Sequence, residues 1–296
     1  MPMISQVQLY NETLGSTVTF AENSFSHVLE TCDLGMIEGV RNEQQLVGQD
    51  GILVANVLYG TRTITLVAWL IGQDDNVITA YRRGLNQFIN PKQRLQLKHN
   101  GYVISGYPLH TVAYGTDIKV LNERMCRCMI EILCDDPLFS DLNDTTVGVA
   151  LWSDEFVFPL EFALVGDTLI FGLRSASQIV EVTNSGDLAT GMLITFTASG
   201  SVQGPKIINI STQQYLQVNM ALTAGQRLAI DTRGNVPKVT HYADDGTPTN
   251  VINLVTDTSR FLRLPLGISS FSYTADANEE NLEVSVQYAN RYLEVL

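Results

Sequence analysis

Short runs of alternating apolar and polar residues, cut at close intervals by Gly, Asn, Asp and Ser, constrain this chain more than any other feature. Residues 204–232, GPKIINISTQQYLQVNMALTAGQRLAIDT, show the pattern: Leu216, Val218, Met220 and Leu222 share one parity, as do Leu228 and Ile230. Successive side chains of a strand point to opposite faces, so each run carries one apolar and one polar face, as half-buried antiparallel strands do. Residues 223–226 fit a short connection, because Gly225 can take the positive φ that a tight hairpin needs. The two runs are expected to pair as a hairpin within a β-sandwich.

The same period governs RMCRCMIEILC, residues 124–134. Cys126, Cys128, Ile130, Ile132 and Cys134 fall on one strand face, and Met125, Arg127, Met129, Glu131 and Leu133 on the other. Tetrahedral zinc draws on paired CxxC-type spacings or nearby His, and His27, His99, His110 and His241 stand singly, far from the thiols in sequence. The three thiols, and Cys32 with them, read as small buried hydrophobes, with no metal and no disulfide framework expected.

A chain of 296 residues exceeds what one core usually holds, so two domains are expected, with one large all-β domain as the alternative. In the first, STVTFAE (16–22), GILVANVLYG (51–60) and RTITLVAWLI (62–71) read as strands. The last is apolar on both faces near its end and is expected to be central and covered on two sides, with Trp69 in the core. One helix follows. Asp74 or Asp75 can cap it, Val77, Ile78, Tyr81, Leu85, Phe88 and Ile89 form an apolar stripe, and Asn90-Pro91 ends it. Asn100-Gly101 then marks a hairpin, and DDPLFSDLND (135–144) a domain edge, placing the division at residue 138. Residues 139–296 hold only short strands and turns, the pattern of a β-sandwich or jelly roll. The fold class expected is mainly β, with one α-helix in the N-terminal domain.

Net charge is −13; residues 1–138 hold 10 Lys+Arg and 14 Asp+Glu (−4), residues 139–296 hold 8 and 17 (−9). Phosphate binding needs clustered Lys and Arg, and none is seen, so direct nucleic-acid binding is not expected. An acidic surface beside DNA would repel it. No run reaches the roughly 18 apolar residues of a membrane span, so no membrane anchor is expected. The opening residues lack the basic and apolar regions of a secretory signal.

The common phosphate-loop, dinucleotide, serine-hydrolase and zinc-protease motifs are absent. The carboxylate pairs Asp154/Glu155 and Glu279/Glu280 would point to opposite faces of a strand, which does not serve glycoside hydrolysis. No catalytic residue, metal ligand or cofactor is assigned, and the protein is not read as an enzyme. Trp152, beside Ser153, Asp154 and Glu155, is the one candidate ligand-binding ring, of the kind that stacks on sugars.

The order of these features resembles the distal tail proteins of long, non-contractile-tailed bacteriophages. In the first half the resemblance lies in Asp50-Gly51, Arg62 leading the central strand, the helix ending in Asn90-Pro91, the strand pair after it, and CDDPLFSD. In the second half it lies in Pro205, Ile207, Leu222, Gly225, Leu228 and the run Ile230-Asp231-Thr232, then in Leu264, Pro265 and Gly267, with Ser269 where the family commonly has Asn. The resemblance implies an N-terminal ring-forming β domain (1–138) and a C-terminal galectin-like β-sandwich (139–296). It implies a homohexameric structural hub at the tail tip or baseplate of the virion, assembled in the host cytoplasm. Its implied partners are the major tail (tube) protein, the tape measure protein, the tail-associated lysin or tail fibre, and receptor-binding proteins. The alternative reading is a carbohydrate-binding module on the virion that aids host adsorption.

Overall fold

The computed structural model describes residues 4–45, 48, 50–115, 124–148, 152–153, 173–174, 179–234 and 236–295. The chain is mainly β, with one α-helix, and divides into two compact units: Met1–Leu142 with Tyr292–Leu296, and Asn143–Arg291. Against a division at residue 138, the contacts thus part four residues later, and the last five residues return to the first unit.

The first unit holds β1 (Gln6–Asn11), β2 (Ser16–Ala21), β3 (His27–Asp33), β4 (Gly39–Gln44), β5 (Leu53–Tyr59), β6 (Arg62–Ile71), α1 (Asp75–Phe88), β7 (Leu95–His99), β8 (Tyr102–Pro108), β9 (Ala113–Tyr114), β10 (Met125–Cys134) and β11 (Phe139–Asp141). Strands run in the order β8-β7-β1-β2-β3-β6-β10, and β10 also pairs with β8, so these seven close on themselves as a barrel, with β11 added beside β8 and β9 beside β10. β2 and β3 pair in parallel, at Ala21 and Val28. Closure needs Gly106, since a Cβ there would collide with the Leu133 carbonyl and lie 2.9 Å from Ile132 Cγ2. Gly106→Ala should therefore lower the unit's unfolding free energy by about 2 kcal/mol in urea titrations, the usual scale of overpacking. An unchanged midpoint would show that closure tolerates the methyl.

Period 2 sorts this barrel. Leu66, Ala68 and Leu70 of β6 and Cys126, Cys128, Ile130 and Ile132 of β10 point inward and are buried. Trp69 does not join them. It lies on the outer side of β6, half-buried, with its indole bonded to Glu30, and the expected second cover over this strand is incomplete. The helix forms where expected: Asp74 caps it by accepting from Val77 N at 3.0 Å, and Ile78, Leu85 and Phe88 enter the core. Its end is held by Asn11, which is fully buried, donating from Nδ2 to the Phe88 carbonyl at 2.7 Å. Asn11 Oδ1 accepts from Thr13 N and Leu14 N, at 2.9 and 3.0 Å, and so shapes the turn between β1 and β2. Asn100 and Gly101, with φ 46° and 84°, make the tight turn between β7 and β8. Arg62, 2% exposed, lies 4.6 Å over the Phe139 ring and donates from Nη2 to the Leu293 carbonyl, tying the chain's end to β6.

The second unit holds β12 (Thr145–Gly148), β13 (Trp152–Ser153), β14 (Leu173–Arg174), β15 (Ile179–Asn184), β16 (Leu193–Ala198), β17 (Val202–Gln203), β18 (Lys206–Asn209), β19 (Tyr215–Gln217), β20 (Ala221–Leu222), β21 (Arg227–Asp231), β22 (Lys238–Tyr242), β23 (Pro248–Asn250), β24 (Gly267–Thr274) and β25 (Leu282–Tyr288). A six-stranded sheet, β12-β25-β16-β21-β22-β23, shares one core with a four-stranded sheet, β15-β24-β18-β19. Ile194, Phe196, Leu228, Ile230 and Val286 from the first meet Val182, Ile207, Leu216 and Phe271 from the second, which makes a galectin-like β-sandwich.

The expected hairpin across Gly225 is not one. Leu216, Val218, Leu222, Leu228 and Ile230 are all fully buried and Gly225 does take φ 88°. Yet β19 pairs with β18, β20 pairs with β17, and β21 lies between β16 and β22. The turn passes the chain from one sheet to another, so its flanking strands share a core without sharing hydrogen bonds.

Candidate functional site

Three surfaces gather side chains that the two cores do not absorb. The first is the arm made by β4 and β5, a two-stranded sheet of their own. Directly opposed residues of an antiparallel pair share a face. Val40 with Leu58 therefore lie on one side, and Val57 and Tyr59 on the other. Both sides face solvent: Val57 is 54% and Leu58 62% exposed, with Leu53, Val54 and Tyr59 similar. An isolated two-stranded hairpin is marginal in water, and contiguous apolar exposure marks an interaction surface. At the base of the arm, in the same unit, lies a cavity of about 760 Å³ lined by Leu34, Met36, Ile37, Tyr59, Leu293 and Val295.

The third surface is a groove of about 410 Å³ on the outer face of the six-stranded sheet. Alternate residues of β16, β21 and β22 build it in cross-strand rows. Thr195, Ala229 and Thr240 form a floor of small side chains in the middle. Arg227 and Tyr242 oppose each other at one end, with the guanidinium 5.4 Å from the ring centroid. Asp231 and Lys238 oppose each other at the other end. Arg233 clamps Asp231 from Nε and Nη2, each at 3.0 Å, and reaches Asp144 from Nη1 at 2.9 Å. Burial pushes the Asp231 carboxyl up, but the hydrogen bonds and charge of Arg233 outweigh it and hold the group below the usual carboxylate range.

Trp152, the ring singled out in the sequence, lies on β13, whose backbone pairs with Arg174; its side chain is outside the described residues, as are Asp154 and Glu155. Glu279 and Glu280 lie on a 3-10 turn instead of a strand, and Glu279 accepts from Thr274 Oγ1 at 2.7 Å. The thiols of Cys126, Cys128 and Cys134 are buried within the barrel and free of disulfides. Burial pushes Cys128 and Cys134 up to about 12, and Cys126 up as well. Because the thiolate is the reactive form, a disulfide reagent at pH 8 should modify these three slowly in native protein and at once after unfolding. Modification within seconds in native protein would show that the barrel opens readily. Among the described residues, no group of three or more His, Cys, Asp or Glu is placed to hold a metal ion. His27, whose pKa burial lowers, packs between the Phe20 and Tyr81 rings, and His99 bonds the Gln6 carbonyl at 2.8 Å, so both serve structure.

A barrel unit followed by a sandwich is the arrangement of two known tail-protein domains. The model of the phage tail protein RIFT-related domain matches residues 15–146, and that of the siphovirus-type tail component, C-terminal domain, matches residues 185–292. The chain belongs to the distal tail proteins of siphophages. It is thus a structural component of a phage tail. Comparison with curated proteins finds no match. Among solved structures it is similar to the SPP1 Dit (gp 19.1) protein, described as a paradigm of hub adsorption apparatus in phages infecting Gram-positive hosts. That likeness covers 96% of this chain and 98% of the other, at 11% identity and TM-score 0.65, and shows the shared fold. A chain of the phage P2 baseplate in its activated conformation with Ca is also similar, at 8% identity over 99% and 100% of the two chains, with TM-score 0.48.

Proposed function

We propose that this distal tail protein is the structural hub of a siphophage tail tip or baseplate, and that it works as a homohexameric ring closed by its first domain. The observation that carries the reading is the arm of β4 and β5, with Val40 and Leu58 exposed on one face and Val57 and Tyr59 on the other. A ring needs heterologous contacts, one patch meeting a different patch on the next copy, and an arm apolar on both sides supplies such a patch. The ring joins the tail tube, through the major tail protein, to the tail-associated lysin or fibre, holds the tape measure protein, and carries receptor-binding proteins. Its role is structural and not enzymatic. Net negative charge suits a channel through which DNA passes without adhering.

Light scattering of full-length protein across a concentration series, followed by electron-microscope imaging, tests this. Particles of six times the chain mass with a central opening are expected. Monomer at every concentration, together with no six-fold density for this chain in purified tails, sinks the reading.

A further inference from the structure

From the groove over β16, β21 and β22 we infer that the sandwich domain binds a short anionic saccharide, laid along β21 with its acidic group toward Arg227 or Lys238. The inference holds equally for a monomer or a ring, and it stands apart from Trp152. Four observations carry it. The groove is a concavity of about 410 Å³ on a sheet face, with the small side chains of Thr195, Ala229 and Thr240 along its middle. Its cations are unusual for this chain: residues 139–296 carry −9 overall, yet three of their eight Lys and Arg, namely Arg227, Arg233 and Lys238, line this one groove, and with Arg233 paired to Asp231 and Asp144 it is Arg227 and Lys238 that face an anion. Clustered cations in a groove attract anions and raise their local concentration.

The polar groups are also held in place before any ligand arrives. Arg233 is fixed by two bonds to Asp231 and one to Asp144. Planar groups locked by each other present fixed donors and acceptors, the arrangement that adjacent sugar hydroxyls match at little entropic cost. Tyr242, half-buried and flanked by the Arg227 guanidinium, gives an aromatic wall with a polar end. The floor of Thr195, Ala229 and Thr240 leaves width for a ring, and Arg227 and Asp231 are four residues apart along β21, roughly 13 Å. That is length for a few sugar units. A bare phosphate would use the cations and leave Tyr242 and the threonine floor without a role.

The test uses full-length protein and calorimetric titration with trisaccharides that bear uronate, sulfate or phosphate, each beside its neutral parent, with tripolyphosphate as a saccharide-free polyanion. At least one anionic trisaccharide should bind ten-fold or more tighter than both its neutral parent and tripolyphosphate, and should weaken as salt rises. The exposed pair Arg227→Gln with Lys238→Gln should weaken it ten-fold or more. Tyr242→Ala should weaken saccharide binding while leaving any tripolyphosphate binding unchanged. Thermal melts of each variant matching the parent exclude loss by unfolding. The inference is overturned if none of the anionic trisaccharides binds, if a neutral parent or tripolyphosphate binds as tightly, or if the folded charge variant binds like the parent.

Discussion

Full-length protein carrying Val57→Asp and Leu58→Asp should stay folded and lose ring assembly altogether. The two residues sit on opposite faces of the β4–β5 arm and are more than half exposed, so in a free chain the carboxylates stay in water. Surface changes of that kind usually move stability by no more than about 0.5 kcal/mol. In the ring proposed above the same positions would be covered, and an unpaired carboxylate taken out of water costs several kcal/mol in effective terms. Each interface of the ring repeats the penalty, so closure fails as a whole and light scattering should report monomer. Val236→Asp, at a position 72% exposed in the sandwich unit, is the control and should assemble as the parent does. Rings that persist in the double variant would remove the arm from the interface while leaving six-fold assembly itself standing.

Asn11→Leu should destabilise the barrel unit by about 3 kcal/mol, because one nearly isosteric change strands the buried Phe88 carbonyl and unpairs two part-buried turn amides together. The Phe88 carbonyl at the helix end loses its donor, and the Thr13 and Leu14 amides lose their acceptor, with no water at a side chain that is fully buried. Each stranded group costs about 1–3 kcal/mol, reduced where the turn can shift toward solvent. A fall of roughly 10 °C in the melting temperature of this unit follows from the usual unfolding entropy of a domain this size. Two units melt separately in general, so the readout is Trp69 fluorescence in a Trp152→Phe background, which follows the barrel alone. A loss below about 1 kcal/mol would mean that the helix end and the β1–β2 turn find other partners.

What the sequence determined by itself is what each segment's own geometry fixes. A strand alternates faces whatever lies beside it, so the inward set of β10, from Cys126 to Cys134, was legible as soon as period 2 was seen. A helix reports its own ends, and Asp74 and Asn90-Pro91 bounded α1 closely. Asn100-Gly101 defined its turn because few residues adopt two successive positive φ angles. The run of turn and strand signals resembling the distal tail proteins carried the two-part, mainly β architecture in the same way.

Choice of partner was decided only by tertiary structure. A strand's edge is satisfied by any other strand, so alternation on both sides of Gly225 could not reveal that β20 and β21 belong to different sheets. Trp69 reads as core in a run apolar on both faces, but closure of the barrel gives β6 one inside and one outside, and Trp69 fell outside. The tie from Arg62 to Leu293 spans 231 positions, beyond any local pattern. The groove is the plainest case. Thr195, Arg227, Asp231, Lys238 and Tyr242 are each an ordinary polar residue on the solvent side of a half-buried strand. Only the pairing of β16 with β21 and β21 with β22 brings those alternate positions into register as one surface. Hydrogen bonding and packing across the sheet set that register, and neither leaves a trace in the order of residues along a single strand.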